Sequence, residues 1–312
     1  MAVARASGGG HGVQVGVCTY SFRELPRVKG DAIGPVIQAM KDCGAHVCEL
    51  FSPQAEPEDV VLTKLLSDIS KPGADGKTPS MEEMRAKYEA ARGSPEEKEF
   101  REKLRQWRLN TPMGHFEGAR QKFASAGIEI FAYTLNFGKD FSDEELDKCF
   151  QEAKALRAKA IASSTQVSML PRLKPLAEKY RITVAVHGHS ETGNPDEFSS
   201  PETFQKALDL SRWFKVNLDI GHFTAGGFDA AQYIEQQHER ISHLHLKDRQ
   251  KNNGPNKPFG EGDTPIVRVL QLLKHKRYPI PALIEYEYAG AGTPVEEVKK
   301  CLAYCRKALA GA

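Results

Sequence analysis

Eight short, mostly apolar runs alternate with amphipathic stretches of helical length along nearly the whole chain. The predicted strands are Val13–Thr19, His46–Phe51, Ile128–Leu135, Ala158–Ser163, Ile182–His187, Lys215–Asp219, Ile241–Leu246 and Ala282–Tyr286. Continuous apolar runs are expected of parallel strands that are buried on both faces. Eight such strand–helix repeats predict an α/β fold in which the sheet closes into a single (β/α)8 TIM barrel.

The helical stretches carry the usual signals for starting and ending a helix. The predicted helices are Ala32–Cys43 before Gly44, Pro112–Ala126 before Gly127, Asp143–Arg157 after a capping box of Ser142 and Glu145, and two that open at Ser200-Pro201 and Thr293-Pro294.

One segment departs from the alternation. Residues 57–111 are too many for one helix, so we expect a helical insertion after strand 2, on the outside of the barrel or over its top. It would contain a loop at Lys71–Lys77 and charged helices at Ser80–Ala91 and Pro95–Trp107. We therefore assign residues 1–12 to a flexible tail and residues 13–312 to the barrel.

The composition limits the partners. The 312 residues include 43 basic and 41 acidic side chains without a basic stripe, so no nucleic acid or anionic lipid is expected. No apolar run approaches the ~18 residues that cross a membrane. The six cysteines form no CxxC pair, which argues against a zinc knuckle or a disulfide scaffold and favours buried or free thiols.

The first residues lack a signal peptide's apolar stretch. We expect a soluble protein, either cytoplasmic or exported with a leader absent from this sequence. A homo-oligomer is compatible with everything above.

The ends of the last four predicted strands carry residues that can bind metals. In a barrel the carboxyl ends of the strands converge on one mouth, and these strands deliver His187, Asp219, His245 and Glu285 there. Two imidazoles and two carboxylates suit one divalent ion, whether Mn²⁺, Mg²⁺, Co²⁺ or Zn²⁺, and leave positions open for substrate oxygens. Each residue alone has a structural alternative, and Asp219 could simply cap the turn at Gly221. All four together favour a metal site.

The segments Leu218-Asp219-Ile220-Gly221-His222, Leu244-His245-Leu246-Lys247-Asp248 and Ile284-Glu285-Tyr286-Glu287, with the earlier Glu49, resemble the xylose isomerase-like TIM barrel superfamily, the group of sugar phosphate isomerases and epimerases. The resemblance covers about residues 13–310. It implies that Asp219, His245 and Glu285 are metal ligands and that His222 contacts the substrate. It does not name the substrate.

The chain departs from the ketose epimerases of this superfamily on strand five. They have a glutamate there that is both ligand and base, whereas this chain has His187, which we keep as a ligand. A metal-bound imidazole cannot be a second carboxylate base, so proton removal would fall to Glu285, or to His189, Glu191 or Glu287.

Other residues near the mouth have open roles. Lys247 would neutralise developing negative charge or pair with Asp248. Tyr20, Glu49 and Glu287 could bind sugar hydroxyls, although Glu49 could equally orient a ligand. Phe137 could flank a sugar ring, whereas Phe131, Tyr133 and His243 are expected to be packed or to support the site.

The leading interpretation is a metal-dependent sugar isomerase or epimerase that abstracts a proton next to a carbonyl through an enediolate. A metal-dependent lyase or dehydratase would use the same scaffold to eliminate water or an aglycone from a keto sugar, with His222 or His189 as the acid. An endonuclease IV-like phosphodiesterase would need more ligands and a basic groove. A non-catalytic sugar-binding barrel would show no turnover.

Overall fold

The protein is a closed barrel of eight parallel strands surrounded by helices. The computed structural model describes residues 12–57, 86–87, 90 and 93–311. Its barrel strands are β1 (Val15–Cys18), β2 (Val47–Phe51), β3 (Glu129–Thr134), β4 (Ala160–Ser163), β5 (Thr183–His187), β6 (Phe214–Asp219), β7 (Ile241–Leu246) and β8 (Ala282–Ile284). Each strand pairs with the next along the chain, and β8 closes on β1. The predicted (β/α)8 barrel and all eight of its strands are confirmed.

Ten α-helices lie within the described residues. They are α1 (Gly34–Cys43), α2 (Pro95–Asn110), α3 (Gly114–Ser125), α4 (Asp143–Ala155), α5 (Leu170–Tyr180), α6 (Pro201–Leu210), α7 (Ile220–Ala225), α8 (Ala230–Gln237), α9 (Ile266–Lys276) and α10 (Pro294–Ala310). A short antiparallel ribbon, Asp248–Arg249 with Asn256–Lys257, follows β7. No helix of this described set is long and apolar enough to cross a bilayer.

The expected tail and most of the expected insertion, including the loop at Lys71–Lys77 and nearly all of the helix at Ser80–Ala91, lie outside the described residues. The second insertion helix is present as α2. Its Arg108 is buried and bonds to Glu56 after β2 (2.7 Å) and to Glu145 on α4 (3.0 Å). These bonds attach the helix to the outer layer of the barrel.

The capping box predicted for α4 is only half present. Ser142 accepts a hydrogen bond from the Glu145 backbone N–H, as expected of an N-cap. The Glu145 carboxylate does not bond back to the cap, because Arg105 and Arg108 of α2 bind it instead. Complete boxes open α6 at Ser200 and α10 at Thr293.

Two β-bulges shift the register between neighbouring strands, one between β6 and β7 and one between β2 and β3. Asn217 of β6 pairs with His243 and Asp219 with His245, because β7 carries one extra residue, Ser242, at the step after Ile241. A similar step in β3 skips Phe131, so that Glu49 pairs with Ala132. Bulges of this kind re-aim side chains next to functional sites. The six cysteines are buried and free, as expected.

Candidate metal centre

The four predicted ligands meet at the carboxyl-terminal mouth of the barrel. His187 and Asp219 end their strands, His245 lies one residue before the end of β7, and Glu285 directly follows β8. One ligand atom from each lies within 4.8 Å of the others, and all four residues are buried. The sequence-predicted set is therefore brought together in space.

The unpartnered atoms of this quartet fit a divalent cation. His187 Nε2, Asp219 Oδ2, His245 Nδ1 and Glu285 Oε2 are buried without a well-oriented hydrogen bond among the described residues, although Lys247 Nζ forms ion pairs with both carboxylate oxygens. Polar atoms left unpaired in a dry interior are costly. Two imidazole nitrogens and two carboxylate oxygens suit Mn²⁺, Co²⁺ or Zn²⁺, and a bound ion would satisfy all four atoms at once.

The two carboxylate oxygens of Asp219 have different surroundings. Its Oδ1 accepts the backbone N–H of His222 at 2.7 Å and caps α7, while its Oδ2 faces the quartet. The turn cap is therefore present, and it leaves Oδ2 facing the other three candidate ligands. Gly221 permits this turn, because a Cβ there would lie 2.7 Å from the Lys247 carbonyl oxygen.

Lys247 places its ammonium beside the quartet. Its Nζ lies 3.1 Å from Asp219 Oδ2, 2.8 Å from Glu285 Oε2 and 2.6 Å from Glu287 Oε2. Burial opposes its charge, but these carboxylates raise the pKa of Lys247 well above its usual value. The alternative pairing with Asp248 is absent, since that carboxylate accepts backbone N–H groups from the loop at residues 260–264.

The carboxylates of the quartet stay ionised. Burial by itself would raise the pKa of Asp219 and of Glu285, but the Lys247 ammonium brings both below their ordinary values. Deprotonated carboxylates are the form that binds metals.

His222 lies between two cations at the rim of the centre. Its Nε2 is 3.2 Å from Lys247 Nζ, and its Nδ1 is 2.6 Å from Nη1 of Arg249. Burial and then Lys247 lower the pKa of His222 well below its usual value, so the ring is neutral. Sequence reasoning missed Arg249, because it lies in the ribbon beyond β7 and nothing in its local sequence distinguishes it from a surface arginine.

His189 lies on the loop after β5, facing the same mouth. Its ring is 5.0 Å from that of His187 and 5.1 Å from that of His222. Glu197 holds its Nδ1 at 3.1 Å, and 37% of the side chain remains exposed. His189 is therefore the most accessible of the clustered imidazoles.

The four residues expected to bind substrate divide into two pairs. Tyr20 and Glu287 lie at the mouth, where burial and then the Glu287 charge raise the pKa of Tyr20 to about 12. Glu49 lies deeper, 1% exposed, with its carboxylate bonded to His243 and His245. Phe137 is also 1% exposed and stacks on Phe150 of α4, so its ring packs in the outer core and has no face free for a sugar.

Asn217 and Cys18 were also missed, and both flank His245. Asn217 lies 3.1 Å from its Nε2, and Cys18 lies beside Glu49. The signal for Asn217 was available, since it is two residues before Asp219 and so on the same face of β6, one layer deeper. His243 is fully buried and supports Glu49, as expected of a packed or supporting residue.

Fold and site together define a (β/α)8 barrel with a buried cluster of possible metal ligands at its mouth, and the chain belongs to the xylose isomerase-like TIM barrel family, whose model matches residues 117–308. It is 25% identical to the L-ribulose-5-phosphate 3-epimerase UlaE of Escherichia coli O157:H7 over 196 residues, 60% of this chain. The match covers 65% of that relative, slightly less than two thirds of its length.

Solved structures share the fold at lower identity. The 3-keto-D-glucoside 4-epimerase YcjR of E. coli has a TM-score of 0.57 at 11% identity, covering 95% of this chain and 99% of its own. The IolI protein, solved with a zinc atom bound, has a TM-score of 0.62 at 13% identity, covering 95% and 98%. Enzymes that convert sugars are therefore among the proteins similar to this chain.

Proposed function

We propose that the protein is a divalent-metal-dependent sugar isomerase or epimerase that removes a proton next to a sugar carbonyl through an enediolate. The convergence of four buried ligand atoms that lack well-oriented hydrogen bonds, at the carboxyl-terminal mouth, carries the proposal. Family membership and the similarity to a sugar-phosphate epimerase support it. The substrate is a sugar or keto sugar, and the ion is Mn²⁺, Mg²⁺, Co²⁺ or Zn²⁺, held by His187, Asp219, His245 and Glu285.

An ion bound there would polarise the substrate carbonyl and so acidify the neighbouring C–H bond. Glu285 is ionised and lies at the mouth, so it removes that proton. Lys247 neutralises negative charge that develops on the substrate oxygen. His222 and His189 orient the hydroxyls and pass protons to them, while Tyr20 and Glu287 bind the sugar from the rim.

The test combines metal removal with isotope exchange. Purified protein is stripped with a chelator, reloaded with each of the four ions, and incubated in D₂O with a panel that includes L-ribulose 5-phosphate and 3-keto-glucosides. We expect deuterium beside the carbonyl, detected by NMR, only in the reloaded protein and not in Glu285→Gln. Full activity of the stripped protein would overturn the proposal.

A lyase on the same centre is the second candidate, and a specific contact favours it. His189 is held by Glu197 and is partly exposed, so it can protonate a leaving group. In addition, His187 occupies the position on β5 where a symmetric two-base epimerisation would use a second carboxylate. The same NMR experiment distinguishes the two. A lyase releases a second product, whereas an isomerase or epimerase conserves the mass of its substrate.

A further inference from the structure

A buried hydrogen-bonded chain lies beneath the metal centre, along the axis of the barrel. Glu49 Oε2 is 2.9 Å from His245 Nε2 and 2.6 Å from His243 Nε2. Its other oxygen accepts the Thr134 hydroxyl at 2.6 Å and faces the Cys18 thiol at 3.7 Å. Every oxygen of this carboxylate is therefore occupied by protein donors, and the substrate has no access to it.

These partners fix which nitrogen of each imidazole carries a proton. Glu49 Oε2 lies within hydrogen-bond distance of two ring nitrogens, and a carboxylate oxygen that serves two N–H donors accepts from both, so both Nε2 atoms carry hydrogens. Ser242 lies 3.1 Å from His243 Nδ1 and donates to it, which leaves that ring neutral. With its Nε2–H committed to Glu49, His245 can offer only Nδ1 to an ion, and Nδ1 is the atom that lies unpartnered in the quartet.

The amide of Asn217 agrees with this assignment. It lies 3.1 Å from His245 Nε2, and its Oδ1 is buried without a partner. Amide oxygen and nitrogen are assigned from the hydrogen-bond network. With Asn217 Oδ1 turned toward the His245 Nε2–H, that oxygen gains a donor. The Nε2–H then bonds to two acceptors, Asn217 Oδ1 and the Glu49 carboxylate.

We propose that Glu49 is a positioning residue that acts through His245: it holds the Nε2–H tautomer, locks the ring orientation and thereby presents Nδ1 to the divalent ion. The inference rests on the proposed metal site. A cluster of Cys18, Glu49 and His245 also has ligand-like spacing. The Glu49 oxygens and His245 Nε2 of that cluster are already bonded, so we assign it to support of the upper site and not to a second ion.

Glu49→Gln tests the inference with little change in volume. The neutral amide oxygen is a weaker acceptor than a carboxylate oxygen, so the His245 tautomer and ring orientation are held less firmly. Because partners behind metal ligands are typically worth 10–100-fold in affinity, we expect the Co²⁺ dissociation constant, from calorimetry, to rise about 10–100-fold. Glu152→Gln is the matched control, because Glu152 is an equally buried carboxylate that bonds to Tyr133 outside the barrel.

A second measurement needs no variant and no turnover. In NMR spectra of Zn²⁺-loaded wild-type protein with ¹⁵N-labelled histidine, the His245 Nδ1 resonance should be shifted by the metal. The hydrogen on His245 Nε2 should exchange slowly with solvent, and Glu49→Gln should lose that slow exchange. Coordination through Nε2, or unchanged Co²⁺ affinity in Glu49→Gln, would overturn the inference while leaving the proposed function intact. A wild-type protein that binds no divalent ion would contradict the proposed function, and the inference with it.

Discussion

The Lys247 ammonium lies 2.8 Å from Glu285 Oε2, between the two carboxylates of the proposed metal centre. A fixed cation at this place keeps Asp219 and Glu285 ionised and also repels an incoming metal. It therefore sets a balance between metal affinity and the stabilisation of negative charge on the substrate.

Lys247→Gln should shift that balance. Without the ammonium, we expect Mn²⁺ to bind more tightly by calorimetry, because a like charge has been removed. Turnover should fall about 100–1,000-fold, the typical cost of losing one electrostatic stabiliser in an active site. Lys215→Gln, which changes a lysine that bonds to the Glu239 carbonyl outside the centre, should alter neither quantity. Weaker Mn²⁺ binding in Lys247→Gln would refute this reading of the ammonium.

Asp219→Asn should separate the two functions of Asp219. Asparagine is a good N-cap, so the thermal midpoint should change little. The amide that replaces Oδ2 is a poor ligand, and we expect metal affinity to fall by more than about 100-fold, beyond the range for supporting residues. Asp229→Asn is the control, since Asp229 caps α8 through Gln232 and has no contact with the centre. Retention of one tightly bound ion per chain in Asp219→Asn would remove Asp219 from the ligand set.

Arg108→Met should detach α2 from the barrel. The guanidinium is 7% exposed and bridges Glu56 and Glu145, and the loss of one partner from a buried ion pair typically costs about 3–5 kcal/mol. We expect the free energy of unfolding in urea to fall by about that amount. Lys103→Met removes an exposed pair with Glu99 and should change the free energy of unfolding far less, because solvent screens exposed ion pairs. Equal effects of the two substitutions would argue against an attachment role for Arg108.

Glu152 should make stability depend on pH. Burial raises its pKa to about 8, against the partial opposition of Arg108, so the folded chain holds a proton that the unfolded chain releases near pH 4.5. The folded state therefore loses stability as the pH rises from about 4.5 to 8. Glu152→Gln lacks this titration, and it should gain stability relative to wild type on going from pH 5 to pH 8 in urea unfolding. Parallel pH profiles for the two proteins would contradict the assignment.

The barrel and the convergence of the four candidate ligands could both be predicted from the sequence alone. Strand ends meet at one mouth in any such barrel, so His187, Asp219, His245 and Glu285 could be placed together without coordinates. Depth along a strand was harder to predict. Glu49 is the third residue of β2, not the last, so its carboxylate lies one layer below the mouth.

Contacts between distant segments were not predictable. Phe137 follows β3 as a mouth residue would, yet the chain turns its ring back onto α4. Arg249 reaches His222, and Arg108 reaches Glu145, only because separate elements pack together. No periodicity or spacing in the sequence specifies such partners.

The extra residue Ser242 sets the register between β6 and β7. If β7 ran through this step without a bulge, Asn217 would pair with Ser242 and Asp219 with Leu244, because successive side chains alternate between the two sides of a strand. A leucine would then stand where an imidazole is needed, and His243 would lose its place under Glu49. The β-bulge, and not the composition of β7, therefore determines whether His245 or a leucine lies beside Asp219.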